Sequence, residues 1–275
     1  MPRLAPFAAA IGLLAAAPAS ALEITVEIEN LVDVPGISLT PVYLGFHDGT
    51  FDAFDVGAAA SPQIETLAEL GDFGPLRDLR LMEQPGSVGG VLASPSGPPP
   101  IEPGETASVT RTLDPTANRA LSFFSMIVPS NDAFVGNDDP LEFVLFDGGG
   151  TYTGDFDILV TADFAYDAGT EVNDSSPTGG AAFLQGAVGG QGAAEGGVVA
   201  PLSELDLQAL FDDFEGGTTG PGAVIVAPDV DQGFALARIS VRATPASEVP
   251  LPAAAPLLAG ALVLLGVAKT RRKTA

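Results

Sequence analysis

Residues 122–174 read SFFSMIVPSNDAFVGNDDPLEFVLFDGGGTYTGDFDILVTADFAYDAGTEVND. Two hydrophobic runs, 121–128 and 157–164, each stop at an acidic, turn-rich segment. The first gives way to Pro129-Ser130-Asn131-Asp132 and the second to Tyr166-Asp167-Ala168-Gly169-Thr170-Glu171. The run 121–128 is almost continuously apolar, which predicts a central strand covered on both faces. Buried strands that end in Asp/Asn/Gly loops gather carboxylates at one end of a sheet. Carboxylates held close repel one another unless a proton or a cation intervenes. Ca²⁺, which takes 6–8 oxygen ligands, suits such loops.

Outward from this stretch the chain keeps the same style. Residues 22–30 alternate, with Ile24, Val26 and Ile28 against Thr25, Glu27 and Glu29, the pattern of a half-buried strand. Further strands are expected at 40–46, 106–113, 141–146, 222–227 and 234–241. Phe51 and Phe54 read as core plugs under a loop. Ser61-Pro62 opens a helix over 62–70, since Ser caps and Pro suits the first helical position. A second short amphipathic helix is expected within 201–214, centred on 202–211. The Gly/Pro/Ser-rich segment 86–104 and the Gly/Ala-rich segment 179–197 read as surface loops. Together these elements predict an all-β fold: one antiparallel two-layer β-sandwich over 22–244, with short helices in the connections.

Composition narrows the function. All 35 acidic residues lie between the two terminal hydrophobic segments, against six basic ones, a difference of −29. Such a surface repels nucleic acid and anionic headgroups and attracts cations. There is no cysteine, which excludes disulfides, thiol catalysis and Cys-ligated zinc, and a single histidine excludes multi-histidine zinc sites.

The segment Ser125-Met126-Ile127-Val128-Pro129-Ser130, with Asp132 and Phe134-Val135-Gly136, resembles the central signature of the spondin domain, as found in F-spondin and mindin. Tyr166-Asp167-Ala168-Gly169-Thr170-Glu171 resembles the family's second signature, an aromatic followed by Asp-Ala-Gly-Thr-Asp. The resemblance implies a C2-like antiparallel sandwich and a Ca²⁺ site on three carboxylates, here Asp132, Asp167 and Glu171. Asn131, Asp138, Asp163, Asn173 and Asp174 are its neighbours in sequence. Ala133 stands where the family usually has Trp, and Glu171 replaces an Asp, lengthening that ligand by a methylene.

The ends read as export signals. Residues 1–21 have Arg3, an apolar core at 7–17 and Ala19-Ser20-Ala21, the pattern of a signal peptide. Residues 245–275 carry Val249-Pro250-Leu251-Pro252-Ala253, an apolar stretch and the basic cluster 269–273. This resembles the VPLPA type of PEP-CTERM sorting signal, which implies an exosortase-like partner and a Gram-negative bacterium that exports matrix polysaccharide. Residues 251–268 reach about 27 Å as a helix at ~1.5 Å per residue, enough for transient membrane anchoring with the basic cluster inside.

Other chemistries find little support. His47 beside Asp48 has no nucleophile turn with it, and a structural role is expected. No phosphate-cradling loop is present, and Asp167-x-x-x-Glu171 lacks the alternating ligands of an EF-hand. The resulting expectation is a non-enzymatic, secreted, calcium-binding adhesion or interaction module at the cell surface. Its partner would be a surface polysaccharide or protein. The alternatives are a structural envelope or biofilm protein that binds cations diffusely, and a hydrolase using paired carboxylates.

Overall fold

The computed structural model describes residues 21–97, 100–176 and 178–244. In chain order these form β1 (Leu22–Asn30), β2 (Ser38–Leu39), β3 (Val42–His47), α1 (Pro62–Leu70), α2 (Gly74–Glu83), β4 (Val88–Leu92) and β5 (Thr106–Leu113). There follow β6 (Ala120–Val128), β7 (Ala133–Gly136), β8 (Phe143–Val144), β9 (Phe156–Val160), a 3₁₀ turn (Ala162–Phe164), β10 (Ala165–Asp167), β11 (Ala200–Pro201), α3 (Glu204–Phe214) and β12 (Ala237–Ala243). The expected signal segment, apart from Ala21, and the expected tail, 245–275, lie outside the described residues. Among the described residues no helix is long and apolar enough to cross a membrane.

Two antiparallel sheets make the sandwich. One has the order β5-β1-β12-β9, and the other β11-β10-β7-β6-β3-β4, with β2 and β8 added on β6. Alternation in β1 turns Ile24, Val26 and Ile28 inward, level with Val241 and Ile239 of β12. Across the core they meet Leu44, Phe46, Leu121, Phe123 and Val135 of the second sheet. All nine residues of β6 are buried, so its other face is covered as well. Tyr43, Phe124 and Phe134 on that face pack under α1, α2 and the 51–54 loop. Phe54 plugs this layer, its ring 5.1 Å from Phe134 and 4.9 Å from Tyr166.

The helices follow their local signals where those exist. Ser61 Oγ accepts from the Ile64 N–H at 3.3 Å, Pro62 is the first helical residue, and Gly71 ends α1 at φ 66°. A Cβ on Gly71 would lie 2.4 Å from Thr40, so close packing also requires glycine there. Ser203 and Asp206 cap α3 reciprocally. Leu207, Phe211 and Phe214 of α3 enter the core, whereas Leu205 is 82% exposed.

Several expectations are corrected. Residues 222–227 are not a strand; only an isolated bridge, Thr218 to Val224, forms there. The run 157–164 breaks after Val160, where Thr161 starts the 3₁₀ turn by accepting from the Asp163 N–H. The strand expected at 141–146 shrinks to Phe143–Val144. Segment 86–104 is not all surface loop, because Val88–Leu92 pairs with β3 as β4.

Glycine is needed in β4 because the buried Arg80 side chain lies beneath it. A Cβ on Gly89 would sit 2.9 Å from Arg80 Nη2. Arg80, 1% exposed, comes from α2 and lacks a carboxylate partner among the described ion pairs. It donates from Nε to the Tyr43 hydroxyl and from Nη1 to Ser87 Oγ. Tyr43 in turn stacks on Phe73, with centroids 5.5 Å apart. Tyr43→Phe removes only the acceptor and leaves a buried guanidinium N–H unpaired. The expected loss is about 1–3 kcal/mol, read as a lower urea midpoint at constant slope. An unchanged midpoint would show that Arg80 does not depend on this bond.

Candidate functional site

The site forms where β6 runs into β7. Ser130 Oγ donates to the Ile127 carbonyl at 2.6 Å and accepts from the Ala133 N–H at 3.1 Å. This closes the turn and leaves Asn131 and Asp132 fully buried. β7 pairs with β10 so that Ala133 lies opposite Asp167, which sets the two acidic turns side by side.

Asp132 joins those turns. Its Oδ2 accepts from the N–H groups of Thr170 and Glu171 at 2.7 and 3.0 Å, and from Thr170 Oγ1 at 3.1 Å. Its backbone carbonyl accepts from the Ala168 N–H at 3.2 Å. Its other carboxylate oxygen, Oδ1, is buried and has no hydrogen-bond partner. Burial first, and then the Asp167 charge, push the Asp132 pKa up to about 6, against the pull of the three donors.

Asp167 is half-buried and shapes its own loop. Oδ1 accepts from the Gly169 N–H at 2.7 Å and Oδ2 from Asn173 Nδ2 at 2.8 Å. Gly169 has φ 67°, and a Cβ there would lie 2.7 Å from the Val198 backbone. Asn131 ties in a further segment, donating to the Gly179 carbonyl at 2.7 Å and accepting from the Asp174 N–H at 3.0 Å.

Glu171, 3% exposed, sits in the folds of the glycine-rich segment. Its Oε1 accepts from the Gly192 N–H at 2.6 Å, while Oε2 is buried without a partner. A Cβ on Gly180 or Gly192 would lie 2.9 or 3.0 Å from that oxygen. Burial raises the Glu171 pKa, and the Asp132 charge adds to it.

The structure therefore brings all three sequence-selected carboxylates into one neighbourhood. It does not preassemble them: among the described residues, no three acidic or imidazole side chains form a group around one point. Asp138 and Asp163 belong to a separate acidic patch, where with Glu142 they hold the Tyr166 hydroxyl up at about 12, after burial. Asp174 closes its own turn by accepting from the Ser176 N–H at 2.8 Å. Asn131 and Thr170 lie inside the two sequence motifs, but their bonds to residues 174, 179 and 132, and the glycine contacts, arise from backbone geometry that no side-chain pattern reveals.

His47 is structural. Its Nδ1 accepts from the Gly49 N–H at 3.1 Å, so the ring proton is on Nε2 and points to Ser122 Oγ at 2.9 Å. Ser122 also accepts from Asn137 Nδ2 at 3.1 Å. The imidazole thus donates to the serine and cannot take its proton. Burial lowers its pKa to about 4. A cavity of about 250 Å³ opens beside Asp167, between Ala133, Asn173, Leu202, Leu210 and Asp213. A larger one, about 400 Å³, lies at residues 214–218 and touches none of the three carboxylates.

The all-β sandwich thus carries buried carboxylates at one end of its larger sheet. Residues 36–178, more than half of the chain, match the family described as Spondin_N, and the chain belongs to that family. Membership points to an extracellular interaction or adhesion module and away from catalysis. No curated protein matches the chain.

The raised Asp132 pKa fixes a pH response. The native state holds this proton more tightly than the unfolded chain, whose Asp titrates near ~3.9. The stability it brings is complete below about pH 4 and is lost as pH rises through 6, about 3 kcal/mol in all. In chelator, Asp132→Asn should therefore gain on the wild type between pH 4 and 7 by that order. Parallel stability curves for the two proteins would contradict the assignment.

Proposed function

We propose that the protein is an exported, surface-associated interaction module with a Ca²⁺ site at Asp132, Asp167 and Glu171. The observation that carries this reading is Asp132 Oδ1, a buried carboxylate oxygen without a partner. An ionised carboxylate is not left bare in an apolar interior without a large penalty. Described basic side chains form ion pairs only at Asp78, Glu29 and Asp157, so none compensates Asp132. The available donors are carboxylate, hydroxyl and backbone oxygens, the ligand set of a hard divalent cation. Asp132 Oδ1 and Glu171 Oε2 are free to bind it, and Asp167 adds its half-buried charge. A bound cation would neutralise these charges and lock the 129–132, 167–171 and 179–192 segments together. The partner of the surface so ordered would be a polysaccharide or a protein of the cell exterior.

Calcium should raise the melting temperature of the protein, by mass action equivalent to about 2.7 kcal/mol at a hundredfold excess over Kd. Asp132→Ala and Asp167→Ala should abolish the rise, and the exposed control Asp212→Ala should keep it. An equal response in all four proteins would mean that the acidic surface gathers ions diffusely, as in a structural envelope protein.

Export completes the proposal. The mature chain would begin near Leu22 and, after an exosortase-like enzyme acts, end within or just after Val249–Ala253. Mass spectrometry of native protein should find neither residues 1–21 nor Arg271–Lys273. Recovery of the basic end would leave residues 251–268 as a lasting anchor.

A further inference from the structure

We propose that the candidate cation site faces away from whatever holds the C-terminal tail, so that its partner lies beyond the surface carrying the protein and not in a membrane beneath it. This rests on the proposed export and tail attachment and adds a direction to them. The direction follows from the strand order of the described residues.

Both ends of the described sandwich leave from one pole. Leu22 opens β1 opposite Leu113, the last residue of β5, and Ile24 lies opposite Ala243, the last residue of β12. The Thr244 N–H donates to the Glu23 carbonyl at 2.8 Å, which fixes the exit of the chain beside its entry. The short loop 114–119 joins Leu113 to the start of β6 at this same pole. It closes locally, with Asp114 Oδ1 accepting from the Thr116 and Ala117 N–H groups, both at 2.9 Å.

Asp132 belongs to the opposite pole. β1 runs away from the exit to Asn30, whose Nδ2 donates to the Ile101 carbonyl at 2.9 Å. Ile101 bridges to Leu39, and Leu39 pairs with Ile127 near the end of β6. From there Pro129 and Ser130 lead to Asp132. β9 arrives at the same pole, since Val160 pairs with Ala237 at the far end of β12, and the 3₁₀ turn carries the chain on to Asp167. The nine residues of β6 put about 27 Å between the poles at ~3.4 Å per step. The tether is shorter. From Thr244 to Leu251, where the expected anchor begins, the chain reaches at most about 25 Å when fully extended. A chain held there cannot turn over to press Asp132 against its own support. The acidic surface opposes such a turn as well, wherever the support carries anionic headgroups.

The chain has no cysteine, so a single introduced cysteine reports the exposure of its own position. Ser175→Cys marks the far pole, because the neighbouring Asp174 N–H donates to Asn131 Oδ1 at 3.0 Å. Thr116→Cys marks the exit pole, and both positions are exposed. Each full-length variant is produced in the cells that make the protein. It is then labelled with a maleimide on a long polyethylene glycol, and with a small maleimide to correct for the reactivity of each cysteine. On intact cells the bulky reagent should label Ser175→Cys several-fold faster than Thr116→Cys, and in purified protein the difference should vanish. Equal corrected rates on intact cells, or a faster Thr116→Cys, would overturn the proposal. Recovery of the chain only from the medium would overturn it too, because nothing would then orient the site. The calcium-dependent rise in melting temperature tests the Asp132 site separately, and the mass of the native protein tests export, so each reading fails on its own measurement.

Discussion

Nine consecutive buried residues in β6 impose the architecture. A strand with apolar side chains on both faces needs a layer on each side. The four-stranded sheet covers one face through Ile24, Ile28, Ile239 and Val241, and α1, α2 and the 51–54 loop cover the other. The strand must then leave the core, and it does so at Pro129 through a turn whose polar groups are themselves buried. Ser130, Asn131 and Asp132 are each fully enclosed. Their hydrogen bonds decide where neighbouring segments lie, because a buried polar group without a partner is expensive.

That constraint links fold to chemistry. Asp132 spends one oxygen on three donors of residues 170 and 171, which holds the second acidic turn against the first. Asn131 does the same for residues 174 and 179. The result is that Asp132 and Glu171 lie in the interior, while most of the other acidic residues are partly or fully exposed. Arg80, one of the six basic residues outside the termini, is buried with Tyr43 and Ser87. The surface is therefore even more one-sided in charge than composition suggests, and counter-charge must come from solution.

Much of this was legible in the sequence, for identifiable reasons. Alternation marked β1, continuous apolar character marked β6, and Ser61-Pro62 marked the start of α1. What failed to show depends on long-range contacts. α2 starts at Phe73 without a side-chain cap, and its buried face includes an arginine, a residue type that normally reads as surface. β4 hides in Val88-Gly89-Gly90, where glycine serves Arg80 and the Leu44 side chain rather than a turn. At the site, two motifs selected Asp132, Asp167 and Glu171. The glycine segment over Glu171 offers no side-chain periodicity to read.

The central claim is that the bare oxygen of Asp132 is a cation ligand. The most direct measurement is a crystal structure of the protein grown with calcium, with the ion located by its anomalous signal. A peak roughly 2.3–2.6 Å from Asp132 Oδ1, with Asp167 or Glu171 in its shell, is the predicted result. Asp132 Oδ1 bonded only to water or to a protein donor, with calcium scattered over exposed carboxylates, would contradict it.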